Sequence, residues 1–400
     1  MELFKQTSID WIGKKWLFGG ISFLLFIIGV SSYFMRGGFN LGIDFTGGTL
    51  IPIKFQQPPD LNLIRDSLAK ESTTPPLIQR YGSQSSNTVQ IRMQTALGAG
   101  EALDSDRNKL LATMRRAFDP EHLNSNLKDF NDNISLGVND LSDYLINNDP
   151  DNLKAQNKTI QEIDGYYKGL ARSILDYRNN EGDGLLHSLD ELKSAGVSDA
   201  VIASLKKNYY TGPFAIKGID SVGAIVGADL RQKATWAVGF SFLGMLVYIA
   251  IRFKPIYGVA AIAAIIHDVL ITLGLFALTQ KEISLTVIAA LLTLVGYSVN
   301  DTIVIFDRVR ENLRIMRKEP LFQVLNLSIN QTLSRTIMTS GFTFLAVFAL
   351  FLFGGEVLNG FAFALTVGVI IGTYSTIALA SPIVEWWYRS SERKTKLKTA

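Results

Sequence analysis

Apolar residues along this chain collect in six runs, approximately Trp16 to Met35, Ala234 to Ile251, Ile256 to Thr279, Ile283 to Phe306, Ile337 to Phe353 and Leu358 to Ala380. Each is about 17 to 25 residues long, enough at 1.5 Å per residue to cross a hydrocarbon layer of about 30 Å. The pattern predicts a first transmembrane helix over 16–35 and a bundle of five more over 234–380. A secretory signal peptide is the alternative for the first run, since Lys14 and Lys15 precede it and Ser31-Ser32 supply small residues near its end. The run is longer than an ordinary signal h-region.

Between the first two runs, residues 36–233 have another texture. Leu50-Ile51-Pro52-Ile53-Lys54-Phe55 alternates as a half-buried strand does, and Asp60 stands as an N-cap before Leu61, Ile64 and Leu68. Leu77-Ile78-Gln79 and Val89-Gln90-Ile91-Arg92-Met93 read as two further strands. An amphipathic helix over Arg107 to Phe118 and a late strand near Phe214-Ala215-Ile216 complete a β-α-β-β-α-β, ferredoxin-like arrangement. The stretch 119–211 is then an insertion, broken by phrases such as Asn147-Asn148-Asp149-Pro150. Its mixed polarity predicts short surface helices only. The expected fold class is a polytopic α-helical membrane protein with six spans and an α+β ferredoxin-like exported domain carrying a helical insertion.

Composition agrees with a membrane protein. Of 400 residues 19% are charged, below the roughly 25% of soluble proteins. The absence of Cys excludes disulfides, thiolate metal sites and a cysteine nucleophile. The net charge of +3 matters less than its distribution. Lys5, Lys14, Lys15, Arg252, Lys254, Arg308, Arg310, Arg314, Arg317, Lys318, Arg335, Arg389, Arg393, Lys394, Lys396 and Lys398 all fall on one side of the six-span arrangement. The two short loops opposite contain only Lys281. By the positive-inside rule residues 1–15 and the basic tail 381–400 are cytoplasmic, and 36–233 is exported.

Within the spans, His267, Asp268, Asn300 and Asp301 stand out. A carboxylate at mid-bilayer costs about 2.5 to 3.5 kcal/mol on insertion scales, so it faces the bundle interior and finds a partner. A helix-packing hydrogen bond is one use of such a group, and a proton or ion site is the other. Counting from the cytoplasmic ends puts Asp268 about 18 Å and Asp301 about 8 Å deep, a separation of about 10 Å. That spacing suits stations of a relay better than two carboxylates sharing a proton. Arg335, before the fifth span, lies near the depth of Asp301, and an Arg beside a carboxylate holds it ionised until it moves away. A plain positive-inside anchor is the other reading of Arg335. Sequence neighbours on a helix point about 100° apart, so His267 need not act with Asp268.

Gly368 and Gly372 form a GxxxG in the sixth span, and Gly296, Ser298 and Thr302 flank Asp301, which predicts close helix contacts there. The basic stretch Arg308 to Gln331 suits anionic lipid or a partner, and a plain positive-inside loop explains it almost as well. Asn179 to Asp190 has the Gly of a calcium loop at its sixth position, but Asp190 replaces the bidentate Glu at its twelfth. His122, His187 and His267 lack metal-ligand spacing, and there is no phosphate-cradling Gly-x-x-x-x-Gly-Lys. No metal, cofactor, nucleotide or nucleic acid is expected.

Several motifs, in order, resemble the SecF branch of the SecD/SecF family of the bacterial Sec export machinery. They are Leu41-Gly42-Ile43-Asp44-Phe45-Thr46-Gly47-Gly48-Thr49, Val222-Gly223 with Val226-Gly227-Ala228-Asp229-Leu230, His267-Asp268, Gly296 to Thr302 with Asp307 to Asn312, Gln331 to Thr336, and Phe353-Gly354-Gly355. The resemblance covers about three quarters of the chain and departs in the long stretch from about Asp119 to Thr211. It implies a half-transporter of the RND superfamily in the bacterial inner membrane, not an enzyme. Such a subunit pairs with SecD beside the SecYEG channel and uses the proton-motive force to drive late preprotein translocation. It also implies that Asp301 carries the proton, that Arg335 is its switch partner, that Asn300 and His267-Asp268 support them, and that Gly42, Asp44, Gly47 and Gly48 are signature positions. Two other readings are weighed. A small-molecule RND exporter usually carries two six-span halves and a larger porter region, and an intramembrane aspartyl protease needs Gly-x-Gly-Asp where this chain has Ser298-Val299-Asn300-Asp301.

Overall fold

The computed structural model describes residues 7–69, 76–82, 86–93, 101–132, 134–252 and 255–399, with backbone alone at 101–107, 250, 252, 356 and 391–399. Lys5 and Lys254 of the charge asymmetry lie outside the described residues. In chain order the elements are α1 (Lys15–Met35), α2 (Ile43–Thr46), β1 (Gly48–Phe55), α3 (Leu61–Ala69), β2 (Leu77–Tyr81), β3 (Thr88–Met93), α4 (Glu101–Phe118), β4 (Lys128–Asp129), α5 (Val138–Asn148), α6 (Ile160–Asn180) and α7 (Asp199–Asn208). There follow β5 (Tyr209–Tyr210), β6 (Phe214–Ile216), β7 (Asp220–Val222), α8 (Ala224–Arg252), α9 (Pro255–Thr279), α10 (Leu285–Ile315), α11 (Leu321–Phe353), α12 (Gly355–Ser375) and α13 (Ser381–Thr399). A π-helical turn, Thr376–Ala380, joins the last two. The chain forms two units, Met1–Phe45 with Ala228–Ala400, and Thr46–Gly227.

In the first unit, five helical stretches among the described residues are long and apolar enough to cross a membrane: Lys15–Met35, Pro255–Thr279, Leu285–Ile315, Leu321–Phe353 and Val357–Ser390. Hydropathy marked their apolar parts and missed their polar extensions. α11 begins at Leu321, well before the apolar run at Ile337, because its polar first turns have partners. Asn326 Oδ1 accepts from the backbone N–H groups of Trp11 and Ile12, and Asn330 Oδ1 accepts from Ile9 N and Thr7 Oγ1. α10 likewise runs on to Ile315, where Asn312 Nδ2 donates to Ser328 Oγ and Gln331 Oε1 of α11. The basic stretch 308–331 is thus a stitched helical hairpin. α1 crosses α9 where two glycines meet; a Cβ on Gly29 would lie 2.7 Å from Gly274 Cα. The GxxxG glycines of α12 face α10, since a Cβ on Gly368 would lie 2.6 Å from Leu294 Cδ1 and one on Gly372 3.3 Å from Ser298 Cβ.

In the second unit the sheet order is β2-β3-β1-β6, with β7 pairing the start of β1, and all pairings are antiparallel. Ile51 opposes Ile91, and Ile53 lies between Val89 and Ile216. This register puts Ile51, Ile53, Val89, Ile91 and Ile216 into one core with Ile64 and Leu68 of α3 and Leu110 and Met114 of α4. The alternation read in β1 is the observed one.

The insertion differs from expectation. α6 is 21 residues long, and with α5 and α7 it encloses a separate core that includes Phe130, Leu141, Leu145, Tyr167, Ala171, Ile174, Leu192, Val201 and Leu205. The physical reason is that Ile163, Tyr167, Ala171, Ile174 and Leu175 recur at helical spacing within an otherwise polar segment. Lys54 and Lys217, from the sheet side, reach Asp183 at 2.9 and 2.6 Å, so the calcium-like turn is an ion-pair hub. Asp129, in β4, accepts from Asn131 N and Gly212 N, and burial pushes its carboxyl up to about 6.

Two outcomes follow from this packing. Gly29→Ala forces α1 and α9 apart, and the thermal midpoint in detergent should fall by the equivalent of about 1 to 3 kcal/mol; an unchanged midpoint would show that the crossing is loose. For Asp129, a folded-state value above the ordinary 3.8 means that folding binds a proton. Its contribution is therefore fully present below about pH 4 and is lost as pH rises through about 6. Amide exchange at β4 and β5 in the full chain, corrected for intrinsic rates, should show that extra low-pH protection. Asp129→Asn should flatten it.

Candidate functional site

Two buried carboxylates on the spanning helices define the site. Asp268 on α9 is 0% exposed and Asp301 on α10 is 3% exposed. A buried carboxylate without donors is strongly destabilising, so its partners tell which helices it ties together.

Asp268 is held from three sides. Its Oδ2 accepts from Ser298 Oγ of α10 at 2.6 Å and from Ser375 Oγ at the end of α12 at 2.9 Å, while Oδ1 lies 3.0 Å from His267 Nδ1. Gly372 lies against the cluster: a Cβ there would stand a tight 3.3 Å from Ser298 Cβ and in ordinary contact, 3.6 Å, with Asp268 Oδ2. One residue beyond Ser375, Thr376 Oγ1 is 3.0 Å from Thr302 Oγ1 of α10 and opens the π-helical turn. A π turn widens the local helix and recurs at functional positions. His267 and Asp268 therefore touch, which their angular separation on an ideal helix did not require.

Asp301 has one hydrogen-bond donor among the described residues, Ser340 Oγ of α11 at 2.9 Å. Arg335 lies on the same helix as Ser340 and is exposed; among the described residues no hydrogen bond or ion pair joins it to Asp301, but its charge is close enough to act on that carboxylate. Asn300 is exposed on α10, turned away from the Asp268 cluster. The two carboxylates attach to α10 one turn apart, at Ser298 and Asp301, which is about 4.5 Å of helix rise. Among the described residues no hydrogen bond joins the two carboxylates; each has its own hydroxyl donors.

Ser340 and Ser375 were not foreseen as site residues, because a lone Ser in an apolar helix carries no signal apart from its being polar. Of the signature residues, Gly42 and Asp44 sit elsewhere, at the Leu285 end of α10. Asp44 Oδ2 accepts from Leu285 N at 2.9 Å, and Gly42 N donates to Ile283 O at 2.8 Å. Gly47 and Gly48 have φ of 70° and 123°, the left-handed region that a side chain disfavours. A Cβ on Gly47 would also lie 2.7 Å from Ala224 Cα. Among the described residues no group of three or more His, Asp or Glu could hold a metal ion.

Comparison with known proteins places this geometry. Residues 201–390 match the family model described as protein export membrane protein SecD/SecF, C-terminal, and residues 37–59 match the SecD/SecF GG motif. The protein translocase subunit SecF of Koribacter versatilis is 42% identical over 96% of this chain and 94% of its own length. The same subunit of Calditerrivibrio nitroreducens is 35% identical over 96% of each chain. The crystal structure of SecDF, a translocon-associated membrane protein from Thermus thermophilus, superimposes with a TM-score of 0.63 at 27% identity, covering 96% of this chain and 39% of that one.

The donors around Asp268 make a direct test possible. In the Ser298→Ala/Ser375→Ala double variant the carboxylate loses both hydroxyls of Oδ2, and stability in detergent should fall by about 1 to 3 kcal/mol for each donor removed. A double variant with an unchanged thermal midpoint would show that the cluster does not tie α9, α10 and α12 together.

Proposed function

The chain belongs to the SecF family of protein translocase subunits, and from that premise we propose that it couples proton movement through its spanning helices to late preprotein translocation. The observation that carries this reading is Asp301, a buried carboxylate in a spanning helix whose one described donor is the neutral hydroxyl of Ser340. A hydroxyl satisfies the charged and the protonated form alike, since it can donate to a carboxylate or accept from a carboxylic acid. Asp301 takes up the proton. Arg335, exposed on the α11 face and about 8 Å of rise from Ser340, is the switch cation that holds the carboxylate ionised when it approaches. His267-Asp268 and Asn300 support the pair by fixing and hydrating α10.

In this reading α8 is the remaining span, giving six with α1, α9, α10, α11 and the α12–α13 stretch. The protein lies in the bacterial inner membrane with both termini cytoplasmic. The second unit is a ferredoxin-like domain on the periplasmic side, supported by its all-antiparallel order β2-β3-β1-β6 with α3 and α4 in the shared core. SecD is the partner half. The reason is length: this chain spans 39% of the Thermus thermophilus SecDF chain, which leaves room there for a second half. The SecYEG channel and the emerging preprotein are the remaining partners, with anionic lipid at the basic hairpin 308–331.

The energy scale is adequate. One elementary charge crossing 100 mV releases about 2.3 kcal/mol, and a two-state element needs a bias of only a few kcal/mol. Protonating Asp301 removes its attraction for Arg335, shifts α10 against α11 and moves the exported domain, which limits back-sliding of the emerging chain. No bond is made or broken in the substrate.

Export of a secreted preprotein into inverted membrane vesicles, with and without a collapsed proton gradient, tests the reading. Wild-type protein should lose a several-fold stimulation when the gradient collapses, and Asp301→Asn should assemble normally and lack the stimulation from the start. Gradient-dependent export by Asp301→Asn would remove Asp301 as the coupling group.

A further inference from the structure

The segment that leads from α1 toward β1 is fastened to the loop between α9 and α10. Asn40 Nδ2 donates to Gln280 O at 3.0 Å, Ile283 N to Asn40 O at 2.8 Å and Gly42 N to Ile283 O at 2.8 Å, forming a parallel bridge between Leu41 and Ile283. A side chain at Gly42 would be crowded, its Cβ lying 3.2 Å from Ile283 O and requiring Glu282, whose Oε1 would be 2.7 Å away, to shift. Phe45 is buried in a core with Phe276, Ile283, Val287 and Leu291.

Asp44 supplies what α10 lacks. The residue at the N-cap position, Ser284, makes no capping bond with its side chain, and Asp44 Oδ2 instead accepts from Leu285 N at 2.9 Å. A carboxylate here satisfies an orphan donor and meets the positive end of the helix dipole. From that cap, α10 runs unbroken for 31 residues, and Asp301 lies about 24 Å of rise along it. In the other direction the chain reaches the start of β1 within four residues, through the left-handed Gly47 and Gly48.

We propose that Asp44 is a positioning residue of the transport cycle: by capping α10 it makes the axial position of that helix, set at Asp301, the position of the root of β1. α10 acts as a rod, Asp44 and the Leu41–Ile283 bridge clamp its end, and the two glycines let the strand pivot without breaking the clamp. The signature residues thus have a mechanical role at a distance from the proton. The inference rests on the reading of Asp301 given above.

The test uses the full chain assembled with its partners in inverted vesicles, and the absence of Cys allows single reporters. Thr293→Cys reports α10 and Ser221→Cys reports β7, both from exposed positions. In the wild-type background both should change thiol labelling when the gradient is imposed, and in Asp301→Asn neither should. Asp44→Ala should keep the Thr293→Cys response, lose the Ser221→Cys response, and lower gradient-dependent export per assembled molecule by about two- to thirtyfold, the range set by loss of a cap. Asp44→Asn, which still caps, should restore both. The coupling is overturned if Asp44→Ala keeps both responses beside an inactive Asp301→Asn, or if its export falls only in proportion to the amount assembled. If Asp301→Asn behaves as wild type, the proton-site reading fails, and the coupling with it.

Discussion

A carboxylate that cannot reach water must find its donors inside the protein, and the arrangement of the spanning helices follows from how Asp268 and Asp301 meet that demand. Asp268 draws hydroxyls from α10 and from the end of α12, and Asp301 draws one from α11. α10 is therefore tied to α9 at Ser298 and to α11 at Asp301, within one turn. The small residues around it have the same cause: hydroxyl-to-carboxylate distances of 2.6 to 2.9 Å require the helix backbones to be close, and Gly372 and Ser298 permit that approach.

The two carboxylates differ in how firmly they are held. Three groups surround Asp268, two of them on neighbouring helices, so moving it would strand several partners at once. Asp301 has a single described donor, on a helix that also carries an exposed Arg335. A carboxylate with several partners thus stands one helical turn from one with a single described hydroxyl donor. The π-helical turn at Thr376–Ala380 adjoins the Asp268 cluster, where the widened helix keeps Ser375 and Thr376 aimed at α9 and α10.

The second unit solves a different problem, because its two cores must be joined. The sheet uses long side chains for this, with Lys54 and Lys217 converging on Asp183 and Gln56 Nε2 donating to the carbonyls of Leu186 and Gly212. The half-buried Asp129 adds a titratable contact, its carboxyl pushed up to about 6 by burial.

Much of this was legible in the sequence, for reasons that can be named. The spans were visible because a hydrocarbon layer demands about 20 apolar residues in succession, and β1 was visible because one buried face forces alternation. Asp301 and His267-Asp268 stood out because charge is costly among apolar neighbours, and the GxxxG because glycine has few other uses in such a helix. Less was visible where the signal was weak or spread out. The core of the insertion was hidden by polar residues on the outer faces of α6, and the polar first turns of α11 found their partners in the N-terminal arm, far away in sequence. Tertiary structure alone decided which hydroxyls satisfy each carboxylate, that His267 touches Asp268, and that Asp44 caps a helix beginning at Leu285. A sequence records which groups must be satisfied, because that is a property of each residue in its medium. The choice of partner depends on distances of a few tenths of an ångström between elements far apart in the chain, and only the packed helices fix those.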